Sequence, residues 1–133
     1  MENNVGPDVQ PSLAPWLTVA DGSAAVTFYQ LAFGAREVYR LEPAEAGFVV
    51  RLAIGGAEWW ISEESETAAT PLGGPSMRLI LTVPNPDELF KSALNAGATE
   101  IFPVSESHGW RLGRLSDPFG LNWEIGYPLP GGH

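Results

Sequence analysis

Few residues of this sequence combine a reactive side chain with a position that could present it to a ligand. Glu124 lies in the segment 121–125, where alternation places it with Asn122 on the polar side of a predicted strand. A carboxylate there could bind a metal, transfer a proton or form a surface ion pair. His108 lies in the polar segment 106–109, whose composition predicts a hairpin turn. We therefore treat Glu124 and His108 as the candidate catalytic residues.

Arginines and aromatic residues are the remaining candidates for binding a ligand. Arg111 and Arg114 are three residues apart in one predicted strand, so they face opposite sides of its sheet. Trp59 and Trp60 are adjacent in another strand, so one of them must face a crevice, an interface or solvent. An aromatic wall with a few polar groups is typical of a small-molecule pocket. The predicted ligand-binding residues are Glu124, Arg78, Trp60, Trp110, Phe48 and Arg111.

The composition excludes several classes of function. The chain has 133 residues, a net charge of -9 and no cysteine. The negative charge argues against nucleic acid as a partner, because that affinity comes from Lys and Arg on phosphates. The lack of cysteine excludes disulfides, thiolate zinc sites and cysteine nucleophiles. No apolar run is long enough to span a membrane, and residues 1–11 do not resemble a signal peptide, so we expect a cytoplasmic protein.

The elements that position these residues occur twice along the chain. In each half, the patterns predict a strand, a helix and three further strands. Asp21 is predicted to cap the first helix, and Asn85, followed by Pro86 and Glu88, to begin the second with a capping box. Three segments recur in the same order and at a nearly constant spacing, which indicates a duplication. They are 17–19 with 81–83, 34–39 with 97–102, and 56–61 with 120–125.

We predict an α+β fold of two βαβββ modules that form an open, barrel-like curved sheet around a crevice. The predicted boundaries are 1–12 for a flexible N-terminal tail, 13–74 for the first module, 75–127 for the second, and 128–133 for a C-terminal tail. We expect the modules to form one compact domain, because about 60 residues bury too little surface to be stable alone. The crevice between the sheets is the predicted ligand site, with Trp60 and Glu124 facing it.

Three segments of the chain resemble a known family. The most specific is 109–120, which reads GWRLGRLSDPFG and runs on to Trp123-Glu124; the others are 17–21 and 28–35. They are similar to the vicinal oxygen chelate superfamily, which includes glyoxalase I, extradiol dioxygenases and bleomycin-resistance proteins. Over residues 14–127 the chain resembles PhnB-like or bleomycin-resistance-like members. The resemblance implies the tandem βαβββ fold and a homodimer in which each pocket is shared between subunits.

The same resemblance bears on the question of a metal. In metal-dependent members of the superfamily, four strand positions supply the ligands, and these correspond here to Ala14, Trp60, Arg78 and Glu124. Alanine and tryptophan offer no ligand atom, and arginine repels a cation. We therefore predict no metal site and no cofactor, with a divalent metal as the alternative. Arg78 and Glu124 are predicted to form an ion pair there, either as a structural staple or as an anchor for a ligand.

The predicted function is metal-free binding of a small molecule. Its concrete form is sequestration of a cationic or aromatic compound, as in antibiotic resistance. One alternative is an enzyme of the same superfamily, a lyase or dioxygenase with or without a metal, in which Glu124 or His108 could act as a general base. The other is a structural or interaction module with a vestigial site. The acidic run Glu63, Glu64 and Glu66 is interpreted either as a solvated loop or as a rim that attracts cations.

Overall fold

The computed structural model describes residues 11–43, 45, 47–64 and 77–130. Within them the order strand, helix, three strands occurs twice, which confirms the predicted α+β fold of two βαβββ modules. The first module consists of β1 (Trp16–Val19), α1 (Gly22–Phe33), β2 (Arg36–Arg40), β3 (Val49–Ile54) and β4 (Ala57–Glu63). The second consists of β5 (Arg78–Thr82), α2 (Pro86–Ala96), β6 (Thr99–Ser107), β7 (Trp110–Ser116) and β8 (Asn122–Pro128). Most of the predicted N-terminal tail and the predicted junction of the modules lie outside the described residues.

Each module forms its own four-stranded mixed sheet. The strand orders are β1-β4-β3-β2 and β5-β8-β7-β6, and the first and last strands of each module pair in parallel. The strand register is the same in the two modules, as expected of a duplication. Trp16 pairs with Trp60, and at the equivalent positions of the second module Ile80 pairs with Glu124. No strand of one sheet pairs with a strand of the other in the described part of the chain, so the two sheets remain separate.

The two helices begin at the predicted residues, but their caps differ. The side chain of Asp21 accepts a hydrogen bond of 3.0 Å from the backbone N–H of Ala24, as expected of a cap. The Asn85 side chain makes no such bond and instead donates to Glu88 Oε1 at 3.3 Å, so the predicted capping box is not formed. Pro86 at the start and two acidic residues in the first turn remain to stabilise this helix end.

One core lies between the two modules. The helices pack against each other, and each packs on the sheet of its own module. Trp59 of β4 meets Trp123 of β8 edge to face, with ring centroids 5.6 Å apart, and Tyr29 of α1 contacts both rings. Both tryptophans are buried. Each sheet therefore turns its helix-bearing side toward the shared core, and its other side, called here the first or second open face, points away from it.

Among the described residues of one chain, the two sheets do not enclose the predicted crevice between them. Trp60 lies on the first open face and Glu124 on the second, because each is adjacent in its strand to a tryptophan that points into the core. The physical reason is that the apolar sides of both sheets, which carry the fully buried Ile61 and Ile125, are buried together with the helices. The polar and aromatic sides are left outside.

Candidate functional site

Two arginines share the carboxylate of Glu124 on the second open face. Arg78 Nε lies 3.0 Å from Glu124 Oε2, so the predicted ion pair is present. Arg114 Nη2, on the neighbouring strand β7, donates to the same oxygen at 3.3 Å. The side chain of Glu124 is 14% exposed, whereas that of Arg78 is 46% exposed. This charged cluster of Arg78, Arg114 and Glu124 carries a net charge of about +1 and presents Arg78 to solvent.

Arg114 was missed by the prediction, which named Arg78 and, of the two arginines in β7, Arg111 as ligand-binding residues. The two do face opposite sides, but Arg111 faces the helix. Its Nε and Nη2 donate to Asp87 of α2 at 2.9 and 2.6 Å, and these hydrogen bonds lower the pKa of Asp87. The sequence repeat could have identified Arg114. In the first module Arg51 pairs with Trp60, and at the equivalent positions of the second module Arg114 pairs with Glu124.

The first open face carries an aromatic platform formed by Trp16, Tyr39 and Trp60. The rings of Trp16 and Trp60 stack with centroids 5.6 Å apart and an interplanar angle of 21°. Tyr39 meets Trp60 edge to face at 5.7 Å, and the Arg51 guanidinium lies over Trp60 at 5.1 Å. Trp16 is 54% exposed. Trp60 is therefore not a core residue, and the platform offers a flat aromatic surface beside a positive charge.

The two open faces follow one plan. On each face, an arginine of the third strand pairs with an aromatic residue of the second strand and lies over an aromatic ring. In the second module Arg114 pairs with Phe102 and lies over its ring at 5.3 Å. In the first module Arg51 pairs with Tyr39 and lies over the ring of Trp60. The largest difference is at the centre, where the second module has Glu124 in place of the tryptophan. The duplication therefore produced two surfaces of the same architecture, one mainly aromatic and one mainly ionic.

Three other predicted site residues lie elsewhere. Phe48 packs on Gly22 at the start of α1, on the helix-facing side, so it cannot join Trp60. Trp110 is on the second open face, but the register places it four residues, about 13 Å, from the level of Glu124. His108 lies beyond Trp110 in an exposed turn, with φ of 54° and Nδ1 3.3 Å from Ser107 Oγ. The predicted grouping of these residues around Glu124 is therefore wrong for a single chain.

The acidic run 63–66 is described only in part, so its interpretation as a rim stays a prediction. Glu63 Oε1 accepts a hydrogen bond of 2.9 Å from the backbone N–H of Gly22, so this carboxylate faces the helix. Glu66 lies outside the described residues. In the charged cluster, the Glu124 carboxylate forms ion pairs with both Arg78 and Arg114.

The side chains present do not fit a divalent metal at the four strand positions. Ala14 precedes β1, Trp60 belongs to the platform, and the Arg78 guanidinium contacts the one carboxylate of the set. No group of three or more His, Asp or Glu side chains that could hold a metal occurs among the described residues. A divalent cation needs several oxygen or nitrogen ligands, and here it would meet one carboxylate and two positive charges.

Asp117 joins the two modules beneath the second sheet. Its buried carboxylate accepts four hydrogen bonds: from Tyr29 Oη–H at 2.6 Å, from Trp123 Nε1–H at 2.9 Å, and from the backbone N–H groups of Phe119 and Leu121. Burial, followed by the charge and hydrogen bond of Asp117, raises the pKa of Tyr29 well above its ordinary value of about 10. The network fixes the turn that leads into β8 and hence the position of Glu124.

Raising the pH above about 10 is expected to destabilise the protein through Tyr29. The unfolded chain loses the phenolic proton there while the native protein keeps it, so stability falls as the pH rises, by up to about 1.4 kcal/mol per unit. Tyr29→Phe should remove this part of the slope, and Tyr39→Phe, at an exposed ring, should retain it. Urea unfolding at several pH values between 9 and about 11 measures the slopes; equal slopes in Tyr29→Phe and wild type would contradict the assignment.

Comparisons with known proteins agree with this architecture. The chain matches the family model described as Glyoxalase-like domain over residues 16–125. An uncharacterized protein of Mycobacterium bovis is 35% identical over 132 residues, covering 92% of this chain and 86% of that protein. A glyoxylase/bleomycin resistance protein/dioxygenase domain from a Frankia species has a TM-score of 0.76 at 18% identity, covering 95% and 97% of the two chains. The fosfomycin resistance protein FosX from Listeria monocytogenes has a TM-score of 0.71 at 16% identity, covering 92% and 97%.

The two separate mixed sheets and their helices define the class of protein as one with the glyoxalase/bleomycin resistance fold. The chain belongs to the glyoxalase-like domain family, within the vicinal oxygen chelate superfamily predicted from the sequence. The narrower PhnB-like or bleomycin-resistance-like assignment stays a prediction. Neither helix of the described ranges has the length and apolar character needed to cross a membrane.

Proposed function

We propose that this protein binds a small molecule without a metal ion. The observation that carries the proposal is the charged cluster, in which the carboxylate at a metal-ligand position of the superfamily is occupied by two arginines on an accessible surface. The ion pair contributes little to stability, about 0–1 kcal/mol, because Arg78 is half exposed and solvent screens it. A role as a ligand anchor therefore accounts for it better than a role as a staple.

We further propose that the pocket is completed by a second copy of the chain. Within one chain the aromatic platform and the charged cluster point away from a shared core, and both open faces expose large apolar side chains. Trp16 is 54% exposed, Phe102 57% and Ile80 63%. In a two-fold homodimer the first open face of one subunit can cover the second open face of its partner, which buries these side chains and forms two equivalent pockets.

The remaining parts of the proposal concern location and partners. The net charge of -9 supports a protein that does not bind nucleic acid, and we assign it to the cytoplasm. For the alternative in which Glu124 or His108 acts as a general base, Glu124 is already paired with Arg78 and Arg114, and the described contact of His108 is with Ser107 in an exposed turn. We therefore favour binding over catalysis, and sequestration as its form.

A structural or interaction module with a vestigial site is the second candidate. It is favoured by one observation: Arg78 and Glu124 already satisfy each other's charge. The two candidates differ in whether any small molecule binds, because a vestigial site would leave the platform and the cluster without a ligand.

The test combines three measurements on the purified 133-residue chain. Elemental analysis and titration with nickel, zinc and manganese should find no stoichiometric metal. Sedimentation equilibrium should give twice the chain mass. The ligand probes are naphthoate, naphthylmethanol and naphthylmethylammonium, which share one ring system and differ in charge. At least one of them should change the tryptophan fluorescence in a saturable way. Trp60→Ala should weaken the binding of that probe at least tenfold. One tightly held metal per subunit would overturn the metal-free proposal, and binding of none of the three probes would favour the vestigial site.

A further inference from the structure

We infer that the ligand of this site is a planar aromatic anion, of which an aromatic carboxylate is the simplest form. The inference deepens the proposed binding function and rests on it. It also replaces the expectation of a cationic ligand, which assumed that Glu124 would be free to neutralise a positive charge. The structure assigns that carboxylate to Arg78 and Arg114 instead.

Among the described strand residues, the two open faces carry more positive than negative side chains, although the chain as a whole has a net charge of -9. By the strand register, four arginines and two glutamates lie on these faces. They are Arg36, Arg51, Arg78 and Arg114, with Glu58 and Glu124. The other acidic strand residues with described contacts turn toward the helices: Glu37 pairs with Arg40, Glu63 bonds Gly22 N–H, and Glu106 pairs with Arg111. The surplus of positive charge is therefore local to the proposed pocket, where it favours an anion.

Arg78 has the geometry of an anion anchor. Its Nε lies 3.0 Å from Glu124 Oε2, and its side chain is 46% exposed, far more than the 14% of Glu124. A guanidinium held at Nε by one carboxylate can present its outer N–H groups to a second carboxylate in the fork geometry that arginine favours. Glu124 would then act as a positioning residue that orients both Arg78 and Arg114.

A cationic ligand would meet the opposite conditions. An ammonium group would have to compete with Arg78 and Arg114 for one carboxylate, and it would add a third positive charge to the cluster. The aromatic part of the ligand follows from the platform, where the ring planes of Trp16 and Trp60 are within 21° of parallel and Trp16 is 54% exposed, so a further ring can stack there. In the proposed dimer, the platform of one subunit would hold the ring while the charged cluster of the other holds the anion.

The three naphthalene probes test the sign of the ligand charge, because their ring is constant. We expect naphthoate to bind at least tenfold more tightly than naphthylmethylammonium, with an affinity that falls as salt is added. Arg78→Met should weaken naphthoate at least tenfold and leave naphthylmethanol within about twofold. Arg78→Lys, which keeps the charge without the fork, should give an intermediate loss.

Arg40→Met is the matched control for these variants. Like Arg78, Arg40 is a strand arginine that pairs with a glutamate, but it faces the helix side, where it lies over the ring of Phe48. Its replacement should leave naphthoate affinity within about twofold of wild type. Preference for the ammonium probe, or unchanged naphthoate binding in Arg78→Met, would overturn the anion inference while leaving small-molecule binding in place. Binding of none of the probes by the folded protein would instead overturn the proposed function, and the inference with it.

Discussion

Replacing Asp117 with alanine is expected to lower the free energy of unfolding by about 3–5 kcal/mol. The change removes the acceptor of four hydrogen bonds and leaves the donors of Tyr29 and Trp123 in the core without a partner. Each unsatisfied buried donor costs about 1–3 kcal/mol, and partial relaxation of the turn keeps the total below the sum. Since a domain of this size has a stability of about 5–15 kcal/mol, the variant would lose a large part of it.

Denaturant unfolding followed by tryptophan fluorescence measures this loss. Asp21→Ala is the matched control, because Asp21 also bonds a backbone N–H but is exposed and caps a single helix, a contribution of about 1 kcal/mol. A double-mutant cycle of Asp117→Asn with Tyr29→Phe isolates the contact between the modules and should show coupling above about 0.5 kcal/mol. If Asp117→Ala has a free energy of unfolding no lower than that of Asp21→Ala, the hydrogen bonds of Asp117 do not stabilise the contact between the modules.

Gly126→Ala is expected to destabilise the protein by about 3 kcal/mol or more. Gly126 is buried in β8, and a Cβ there would overlap the carbonyl oxygen of Arg111 and the backbone of Leu112. Because the overlapping atoms belong to the backbone of β7, rotation of a side chain cannot relieve the clash. Separating β7 from β8 would also move Arg114 away from Glu124, so the same change should weaken ligand binding.

Gly56→Ala provides the comparison for that variant. Gly56 lies in the turn between β3 and β4, and no atom lies within 4 Å of the position that a Cβ would take. Its replacement should change the free energy of unfolding by less than about 1 kcal/mol. Thermal unfolding of both variants beside wild type distinguishes a steric effect at Gly126 from a general effect of replacing glycine. Equal melting temperatures for the two variants would show that the strands have room to adjust.

The amino-acid sequence by itself determined the local elements and their repetition. Asp21, Pro86 and the backbone of the Asp117-Pro118-Phe119-Gly120 turn act within a few residues of their own position, so their effect can be predicted without the rest of the fold, whereas the bond of Asp117 to Tyr29 cannot. The regular spacing of the repeat was enough to align Trp60 with Glu124, and the structure has both in equivalent strand registers. The ion pair of Arg78 with Glu124 followed from the same alignment.

Only the tertiary structure decided which side of each strand would be covered and by what. Alternation showed that Arg111 and Arg114 face opposite sides of the sheet. Which of them faces the helix depended on a residue of another element, Asp87 of α2, which pairs with Arg111. The packing of the two modules through their helices likewise placed the platform and the charged cluster on separate open faces. The physical reason is that burial depends on the total apolar area of distant segments, which strand periodicity alone does not contain.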